Sequence, residues 1–389
     1  MSVISNESIQ QIHRALSARQ GEIEAFIQKL VELESPSGDE PGSRAVVAAL
    51  ASRAERLNCV TSIEKVNVEA FGQHLLIKAF DKEQPGQILL VGHTDTVHRL
   101  GSVNQRPWRR ETDKIFGPGI FDMKANCVLA IEVLRALDEL KIKPRVGVSL
   151  VLTCDEEVGS ASGWPFIEQI ARTKETKFAM VLEPPAADGR VKTGRKGTGI
   201  FSLKVEGKAA HAGLEPEKGA SAILELARQT ERIHSINKAG TGISVNVGVV
   251  SGGTRSNVVA AEAQAEIDVR FSNEREASEI ERFFRNLSPI DERTRVFVSG
   301  GINRPPLERT PAVIELFEKA RSIASSIDFE LGEAQVGGAS DGNFLAALGI
   351  PVLDGLGVNG DGAHADHEHI LAADLPIRGT LIAGLIASA

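Results

Sequence analysis

Apolar residues in the first half of the chain form short, uninterrupted runs that alternate with a helical pattern. The runs QILLV (87–91), VGVSLVLT (146–153) and FAMVL (178–182) predict strands that are buried on both faces, as in a parallel sheet. Between the first two, KANCVLAIEVLRALDELK (124–141) places leucine and valine on one helical stripe. A strand, a helix and a second strand in this order predict a crossover unit and therefore an α/β layer.

The C-terminal part resumes this pattern, whereas the middle of the chain differs. A helix near 311–326, a strand at 350–354 and a terminal helix from about 371 extend the α/β layer. The middle predicts, in order, a strand, a helix, two strands, a helix and a strand, at 201–207, 219–235, 243–253, 261–271, 274–286 and 294–301. This order is typical of a small α+β sandwich. We therefore predict that residues 194–307 form a domain inserted into one built from residues 1–193 and 308–389.

The composition narrows the class of protein. The chain has 389 residues, a formal net charge of −8, 42% hydrophobic and 25% charged residues, as is typical of globular proteins. The acidic balance argues against nucleic-acid binding, which needs a basic face, and no apolar run is long enough to span a membrane. The polar N-terminal segment predicts an amphipathic helix rather than a signal peptide. Three widely spaced cysteines form no disulfide framework, so we expect a cytoplasmic protein.

Acidic and imidazole side chains cluster at or near the ends of the predicted strands and at the start of the first crossover helix. These residues are His93, Asp95, Asp122, Glu156, Glu157, Glu183 and His364. Functional groups of open α/β sheets gather outside the carboxyl ends of the strands. We therefore expect these seven side chains to converge on one crevice.

Histidines and carboxylates without a thiolate partner are ligands for a borderline cation, zinc first. Zinc lowers the pKa of a bound water to about 7 and so supports hydrolysis. In the pair Glu156–Glu157, one residue can bind metal while the other serves as general base. Each group taken alone also has a simpler explanation, because HTD and EE also occur in solvated turns and Asp122 is able to cap its helix. The three histidines of GAHADHEHI leave the choice of ligand open.

The motifs HTDTV, GPGIFDMKAN, CDEEVGS, LEP and GxxxHxxxE follow one another along most of the chain. In this order they resemble the dinuclear zinc exopeptidase and deacylase family, which includes glutamate carboxypeptidase, acetylornithine deacetylase, succinyl-diaminopimelate desuccinylase and aminoacylase. The middle segments GRKGTG, GKAAHAG, SNVVA, DVRF and GGINRPPLERT are most similar to the glutamate carboxypeptidase branch. The resemblance implies a mixed, mostly parallel sheet with helices on both faces, of zinc exopeptidase type. It also implies that the inserted α+β sandwich serves as a lid and in dimerisation.

The resemblance further implies a role for each residue of the cluster. Asp122 would bridge two zinc ions, His93 and Glu183 would complete one site, and Glu157 and His364 would complete the other. Asp95 would hold the far nitrogen of His93, and Glu156 would take the proton of the bridging water. A cis peptide is implied after Asp122. The family spacing HxxxE selects His364 together with Glu368, which leaves His367 and His369 as surface groups.

Residues of the inserted domain are also expected to contact the substrate or the oxyanion. His211, in AAHAG, would reach across the interface of a homodimer and stabilise the oxyanion in the partner's site. Asn257 would contact the substrate carbonyl. Arg270 and Arg304 are candidates to bind a substrate carboxylate, because the guanidinium fork suits it, and Lys196 is a weaker candidate.

The leading hypothesis is a hydrolase with two Zn²⁺ per subunit that releases a C-terminal, glutamate-like amino acid from N-acyl or peptide substrates. Cobalt or manganese would suit the same ligands. An N-deacylase is the alternative within enzymes, and Arg304 favours the carboxypeptidase. A non-catalytic binding relative is a remote alternative, because it would be expected to have lost a ligand or the base. A cysteine hydrolase based on Cys154 is disfavoured, since neighbouring carboxylates raise the pKa of a thiol.

Overall fold

A computed structural model describes residues 4–81, 84–237 and 241–389. The α-helices in these ranges are α1 (Asn6–Ala18), α2 (Gln20–Glu32), α3 (Glu40–Ala54), α4 (Ser102–Gln105), α5 (Ala125–Glu139), α6 (Gly163–Ala171), α7 (Ala222–His234), α8 (Glu274–Arg285), α9 (Pro311–Ser325), α10 (Gly342–Ala347) and α11 (Asp374–Ala387). The first eight strands are β1 (Val60–Val68), β2 (Gly72–Ala79), β3 (Gly86–His93), β4 (Arg109–Glu111), β5 (Lys114–Phe116), β6 (Gly147–Thr153), β7 (Glu175–Val181) and β8 (Val191–Arg195). The remaining strands are β9 (Gly197–Glu206), β10 (Ser244–Gly252), β11 (Glu262–Phe271), β12 (Arg295–Arg304), β13 (Glu333–Val336), β14 (Val352–Leu353), β15 (Gly360–Asp361) and β16 (His369–Leu371).

These elements form two compact units. Unit 1 comprises the residues up to Thr193 together with Arg309–Gln335 and Ser340–Ala389. Unit 2 comprises Gly194–Glu308 and Val336–Ala339. None of the helices in the described ranges combines the length and the apolar character that crossing a bilayer requires.

A six-stranded sheet in the order β1-β2-β6-β3-β7-β14 forms the centre of unit 1. Strands β6, β3, β7 and β14 are parallel, whereas β2 runs antiparallel to β6 and β1 antiparallel to β2. Every residue of β3 and β6 is buried, so both faces of the sheet are covered. The predicted fold class, a mixed and mostly parallel α/β sheet with an inserted α+β sandwich, is confirmed.

Helix α5 is the crossover between β3 and β6, and its apolar surface explains its central position. Most of its residues, including Val128, Leu129 and Leu134, are completely buried in the core of unit 1. A helix with apolar residues on nearly every side is stable only when other elements surround it. Helices α1, α2, α3 and α11 all contact α5 and provide that cover.

The N-terminal part of the chain contains more elements than the sequence predicts. The single amphipathic helix that we expected is two helices, α1 and α2, separated at Arg19. Helix α3 and strands β1 and β2 were not predicted. Strand β1 is an edge strand with alternating exposed positions and a bulge near Ser62, so its apolar residues do not form a recognisable run.

Unit 2 contains an antiparallel sheet in the order β10-β11-β9-β12, with α7 and α8 against one face. Alternate residues of β11 are buried, as expected for a sheet with one solvent-exposed face. Phe201 of β9 stacks on Phe284 of α8 with a centroid separation of 4.0 Å. A Cβ atom at position 197 would lie 2.2 Å from the ring of Phe271, so only glycine allows this ring to pack there.

Candidate metal centre

Three neighbouring parallel strands of unit 1 end at the same edge of the sheet and carry candidate ligands there. Strand β3 ends at His93, and Glu156 and Glu157 follow the end of β6. Glu183 comes two residues after the last residue of β7. Because β6, β3 and β7 are adjacent and parallel, these four side chains start from one edge.

The carboxylate of Asp122 lies between two imidazole rings. Its Oδ1 is 3.1 Å from His93 Nε2, and its Oδ2 is 3.4 Å from His364 Nε2. His93 Nε2 is also 3.5 Å from Glu183 Oε1, and His364 Nε2 is 3.1 Å from Glu157 Oε2. The two oxygens of one carboxylate therefore face different histidines, each of which has a further carboxylate of its own.

Ligand atoms of these residues are close enough to share a cation. In the described residues, the atoms of His93, Asp122 and Glu157 lie within 4.8 Å of one another, and so do those of His93, Glu156 and Glu183. With His364, which lies beside Asp122 and Glu157, the cluster has six side chains from five separate segments of the chain. The structure thus brings together every residue that we predicted as a metal ligand or as the general base.

The turn before α5 places Asp122 in this position. Residues Ile120–Lys124 form a turn in which Asp122 and Met123 have non-helical dihedral angles, and the Asp122–Met123 peptide bond is cis, as the resemblance implies. Helix α5 begins after Lys124, without a side-chain cap. The simpler explanation of Asp122 as a helix cap is therefore wrong, since its carboxylate faces the two histidines instead.

His364 comes from a loop in which the three histidines differ in environment. His364 has a positive φ of 65°, and its side chain is half exposed. His367 is exposed, as predicted. The prediction of a surface position for His369 is wrong, because this residue belongs to β16 and its ring packs 5.1 Å from that of Phe116.

Asp95 connects His93 to the turn that carries the two glutamates. His93 Nδ1 lies 2.9 Å from the main-chain oxygen of Asp95 and 3.4 Å from its carboxylate. The same carboxylate accepts hydrogen bonds from the main-chain N–H groups of Glu156 and Glu157, both at 3.2 Å. Ser37 donates a third hydrogen bond at 2.7 Å. Sequence analysis did not identify Ser37, because a serine between proline and glycine is typical of any loop.

The electrostatics of the cluster favour positive charge. Although burial opposes a charged ring, the neighbouring carboxylates, Asp122 first, raise the pKa of His93 well above its usual value. Hydrogen bonds to Asp122 and then to Glu157 raise the pKa of His364 to about 10. Burial raises the pKa of Glu157, whereas in Asp122 the two histidines outweigh burial and lower the pKa. The carboxylates thus outnumber the histidines and draw protons onto them.

A bound divalent cation would also supply the positive charge that these carboxylates favour. Glu157 Oε1 is buried and has no hydrogen-bond partner, although unpaired buried carboxylate oxygens are costly. The donor set consists of imidazole nitrogens and carboxylate oxygens, which suits zinc and similar ions. The residues present therefore fit a metal centre.

The environment of Cys154 disfavours a cysteine nucleophile. Its Sγ lies 3.4 Å from His74 Nδ1, which also accepts a hydrogen bond from the Cys154 main chain. The thiol is completely buried. Burial, and then the charge of Asp155, raise the pKa of the thiol to about 12, so almost no thiolate forms at neutral pH.

The remaining sequence-predicted site residues lie in unit 2. Arg270 pairs with Asp268 of the same strand through two hydrogen bonds, at 2.8 and 2.9 Å. Arg304 is 8% exposed on β12. The main-chain N–H of Lys196 donates to Val336 at 3.0 Å, in the segment between β8 and β9.

Two further unit 2 candidates, His211 and Asn257, lie in exposed loops that contact each other. The main-chain N–H of Ala212 donates to the carbonyl of Asn257 at 3.0 Å. His211 forms a β-bridge with Val258, and its Nδ1 accepts from the N–H of Gly213 at 3.2 Å. Both side chains are exposed.

Several known peptidases are similar to this chain in sequence or structure. Carboxypeptidase G2 of Pseudomonas sp. (strain RS-16) is 28% identical over 389 residues, which cover 96% of this chain and 91% of that protein. The structure of aminopeptidase PepT from Bacillus cereus ATCC 10987 has a TM-score of 0.78 at 23% identity and covers 95% of this chain and 98% of its own. The YXEP protein of Bacillus subtilis, a dinuclear metal binding peptidase, has a TM-score of 0.71 at 14% identity over 95% of this chain and 98% of its own. These two structures share the fold.

A match to a protein family covers all the candidate metal ligands. Peptidase family M20/M25/M40 matches residues 89–388, from within β3 to just beyond α11. The range includes each of the seven residues that follow the strand ends or open the crossover helix. Because the match extends over most of the chain, this protein belongs to peptidase family M20/M25/M40 and is a hydrolase of the metallopeptidase type.

Proposed function

We propose that the enzyme cleaves an amide bond and releases a C-terminal, glutamate-like amino acid from N-acyl or peptide substrates, with two divalent cations, zinc first. The observation that carries the proposal is the carboxylate of Asp122 between His93 and His364. Glu183 beside the first ring and Glu157 beside the second provide one further ligand on each side. This arrangement supports two metal sites that share one bridging carboxylate.

In this proposal His93, Asp122 and Glu183 hold one cation, and Asp122, Glu157 and His364 hold the other. When bound, the cations lower the pKa of a coordinated water and withdraw electron density from the substrate carbonyl. The main-chain N–H of Glu156 is held by Asp95, which also contacts His93. A carboxylate oxygen of Glu156 lies within 4.8 Å of ligand atoms of His93 and Glu183, so in this proposal it accepts a proton from the attacking water and returns it to the leaving amine.

Which amino acid is released depends on the positively charged side chains that bind the substrate carboxylate. Arg304 is one candidate, because its guanidinium fork matches a carboxylate and it lies buried on β12. The guanidinium group of Arg270 already donates two hydrogen bonds to Asp268. To bind a substrate carboxylate, Arg270 would have to share these donors or give up Asp268. Lys196 and Asn257 are proposed to make further polar contacts. Recognition of the acyl group instead would make the enzyme an N-deacylase, with the same metal ligands.

The test is release of free amino acid from a panel of N-acyl amino acids, dipeptides and folate. The enzyme is stripped with a chelator and assayed with and without added Zn²⁺, Co²⁺ or Mn²⁺. We expect activity to return with zinc and glutamate to be the preferred product. Metal-restored release of many amino acids from a single acyl group would instead establish the deacylase. No release from the refolded, metal-loaded enzyme with any panel member would contradict the proposal.

Replacing Arg304 with alanine should raise KM for acyl-glutamates by about 10-fold to 100-fold, with a smaller change in kcat. A charge-assisted hydrogen bond to a carboxylate contributes about 1.5–3 kcal/mol, which corresponds to that range. R304K should recover only part of the affinity, since a lysine keeps the charge but not the fork. The matched control is R295A, on the same strand but 75% exposed. An unchanged KM in R304A would remove this residue from substrate recognition.

We also propose a homodimer in which His211 contributes to the partner's active site. Support comes from the edge position of β10, where Val249 and Val250 are 56% and 62% exposed. An exposed apolar edge strand is a natural surface for pairing with another chain. H211A is expected to lower kcat by about 10²–10³-fold, the usual cost of losing an oxyanion donor, and to leave the sedimentation coefficient of the dimer unchanged. A fully active monomer would exclude this role.

The proposed location is the cytoplasm. All three cysteines, Cys59, Cys127 and Cys154, are free and buried. Unpaired cysteines are typical of proteins from reducing compartments, which supports this assignment.

A further inference from the structure

The carboxylate of Glu368 is enclosed by main-chain N–H groups of the loop that leads to Asp122. Its Oε1 accepts hydrogen bonds from the N–H groups of Phe121, at 2.8 Å, and Asp122, at 3.0 Å. Its Oε2 accepts one from the N–H of Gly119 at 2.8 Å. Glu368 is 2% exposed, although acidic residues are rarely buried unless their oxygens are paired. Three residues of one tight turn are thus attached to a single side chain.

A histidine supplies the fourth hydrogen bond to this carboxylate. His98 Nε2 lies 2.5 Å from Glu368 Oε2, and His98 Nδ1 lies 3.4 Å from a guanidinium nitrogen of Arg106. An arginine only donates, so Nδ1 accepts from Arg106 and Nε2 is the nitrogen that donates. His98 therefore donates to Glu368, and both oxygens of the carboxylate accept two hydrogen bonds each.

The segment that carries Glu368 also carries His364. Both residues lie between β15 and β16, and β16 pairs with β5, immediately before the turn that contains Asp122. One segment therefore supplies a candidate ligand through His364 and fixes the main chain of another, Asp122, through Glu368. This gives a structural reason for the spacing of the two residues in GxxxHxxxE.

We propose that Glu368 is a positioning residue that sets metal affinity by fixing the backbone of Asp122, with His98 holding its carboxylate in place. The inference rests on the proposed function, since it requires that Asp122 binds metal. Partners that orient a ligand typically contribute about 10-fold to 100-fold to metal affinity. A carboxylate with a purely structural role would stabilise the folded state but would not change metal affinity.

The variant E368Q tests the role with little change in volume. Because each oxygen accepts two hydrogen bonds, the amide group of glutamine would face two donors in either orientation, and at least two hydrogen bonds would be lost. The matched control is E225Q. Glu225 of unit 2 is 1% exposed and accepts main-chain N–H groups of Ile290 and Asp291 at 2.8 and 2.9 Å. Like Glu368, Glu225 is a buried carboxylate that accepts hydrogen bonds from main-chain N–H groups, but it belongs to unit 2, whereas the candidate ligands belong to unit 1.

Zn²⁺ affinity and stoichiometry are measured by competition with a chromophoric chelator, and thermal stability is measured on the same samples after metal removal. We expect E368Q to bind Zn²⁺ about 10-fold to 100-fold more weakly than the parent. E225Q is expected to lose thermal stability and to keep the parental Zn²⁺ affinity. If E368Q does not fold, H98A replaces it, and the loss of one donor should weaken binding by about threefold to tenfold.

Parental Zn²⁺ affinity in E368Q, or in H98A where that variant is used, would overturn the inference. An equal loss of affinity in E225Q would overturn it as well, because the effect would then follow from general destabilisation. Failure of the proposed metal centre is distinguishable from both, since the parent enzyme itself would then bind no Zn²⁺ in the competition assay. Failure of the proposed substrate would appear only in the release assay and would leave the Zn²⁺ affinities of parent and variants unchanged.

Discussion

E156Q is expected to lower kcat by about 10²–10⁴-fold, the usual contribution of a positioned general base. Glutamine has the shape of glutamate but does not accept a proton at neutral pH. Its main-chain N–H would still be held by Asp95, so the turn should keep its conformation. The measurement combines steady-state kinetics on the preferred acyl amino acid with metal content by mass spectrometry. We expect the metal content to equal that of the parent.

The control for this variant is E168Q. Glu168 is on α6 of the same unit, where it pairs with Arg172 at the surface, so its substitution removes a charge without touching the cluster. Parental turnover in E156Q would exclude the residue as the base. A loss of metal together with turnover would instead assign Glu156 to the ligands, because its carboxylate lies near the imidazole of His93 and the carboxylate of Glu183.

D122N should abolish both metal binding and hydrolysis. The substitution removes the charge that faces His93 and His364, and an asparagine offers only one acceptor atom to two sites. Loss of a partner that merely orients a ligand costs about 10-fold to 100-fold, so loss of a shared ligand should cost more than about 10²-fold in kcat/KM. Zinc content is expected to fall from two ions per chain to none.

Thermal unfolding gives an independent measure of the same change. A ligand that binds only the folded state raises its stability, so the parent should unfold at a lower temperature after chelation. The unfolding temperature of D122N should be the same with and without zinc. A D122N protein that retains two zinc ions and the zinc-dependent shift would refute the bridging role of Asp122.

The sequence was most informative where both faces of an element are buried. Strands β3 and β6 and the last three residues of β7 are buried on both faces, which explains the apolar runs there, and the ends of these strands identify His93, Glu156, Glu157 and Glu183. Spacing alone could not choose among the C-terminal histidines. The resemblance selected His364, and the structure places that residue beside Asp122 and Glu157.

Sequence patterns could not predict contacts between segments that are distant along the chain. The burial of His369 depends on Phe116, and the role of Glu368 depends on the main chain near Phe121, which no local pattern reveals. The pairing of Arg270 with Asp268 is local, at two residues along one strand, and the charge pattern was a signal that could have revealed it. Edge strand β1 was missed because its solvent-exposed face interrupts the apolar pattern.

The distribution of the candidate ligands along the chain has a consequence for biosynthesis. His93 precedes both segments of unit 2 and His364 follows them, so the whole of unit 2 is synthesised between these two histidines. Domains fold as units while the chain emerges from the ribosome, so unit 2 is able to fold while unit 1 still lacks its last strand and helices. In the proposed function, the site formed by Asp122, Glu157 and His364 would therefore be completed only after the whole of unit 2 has been synthesised.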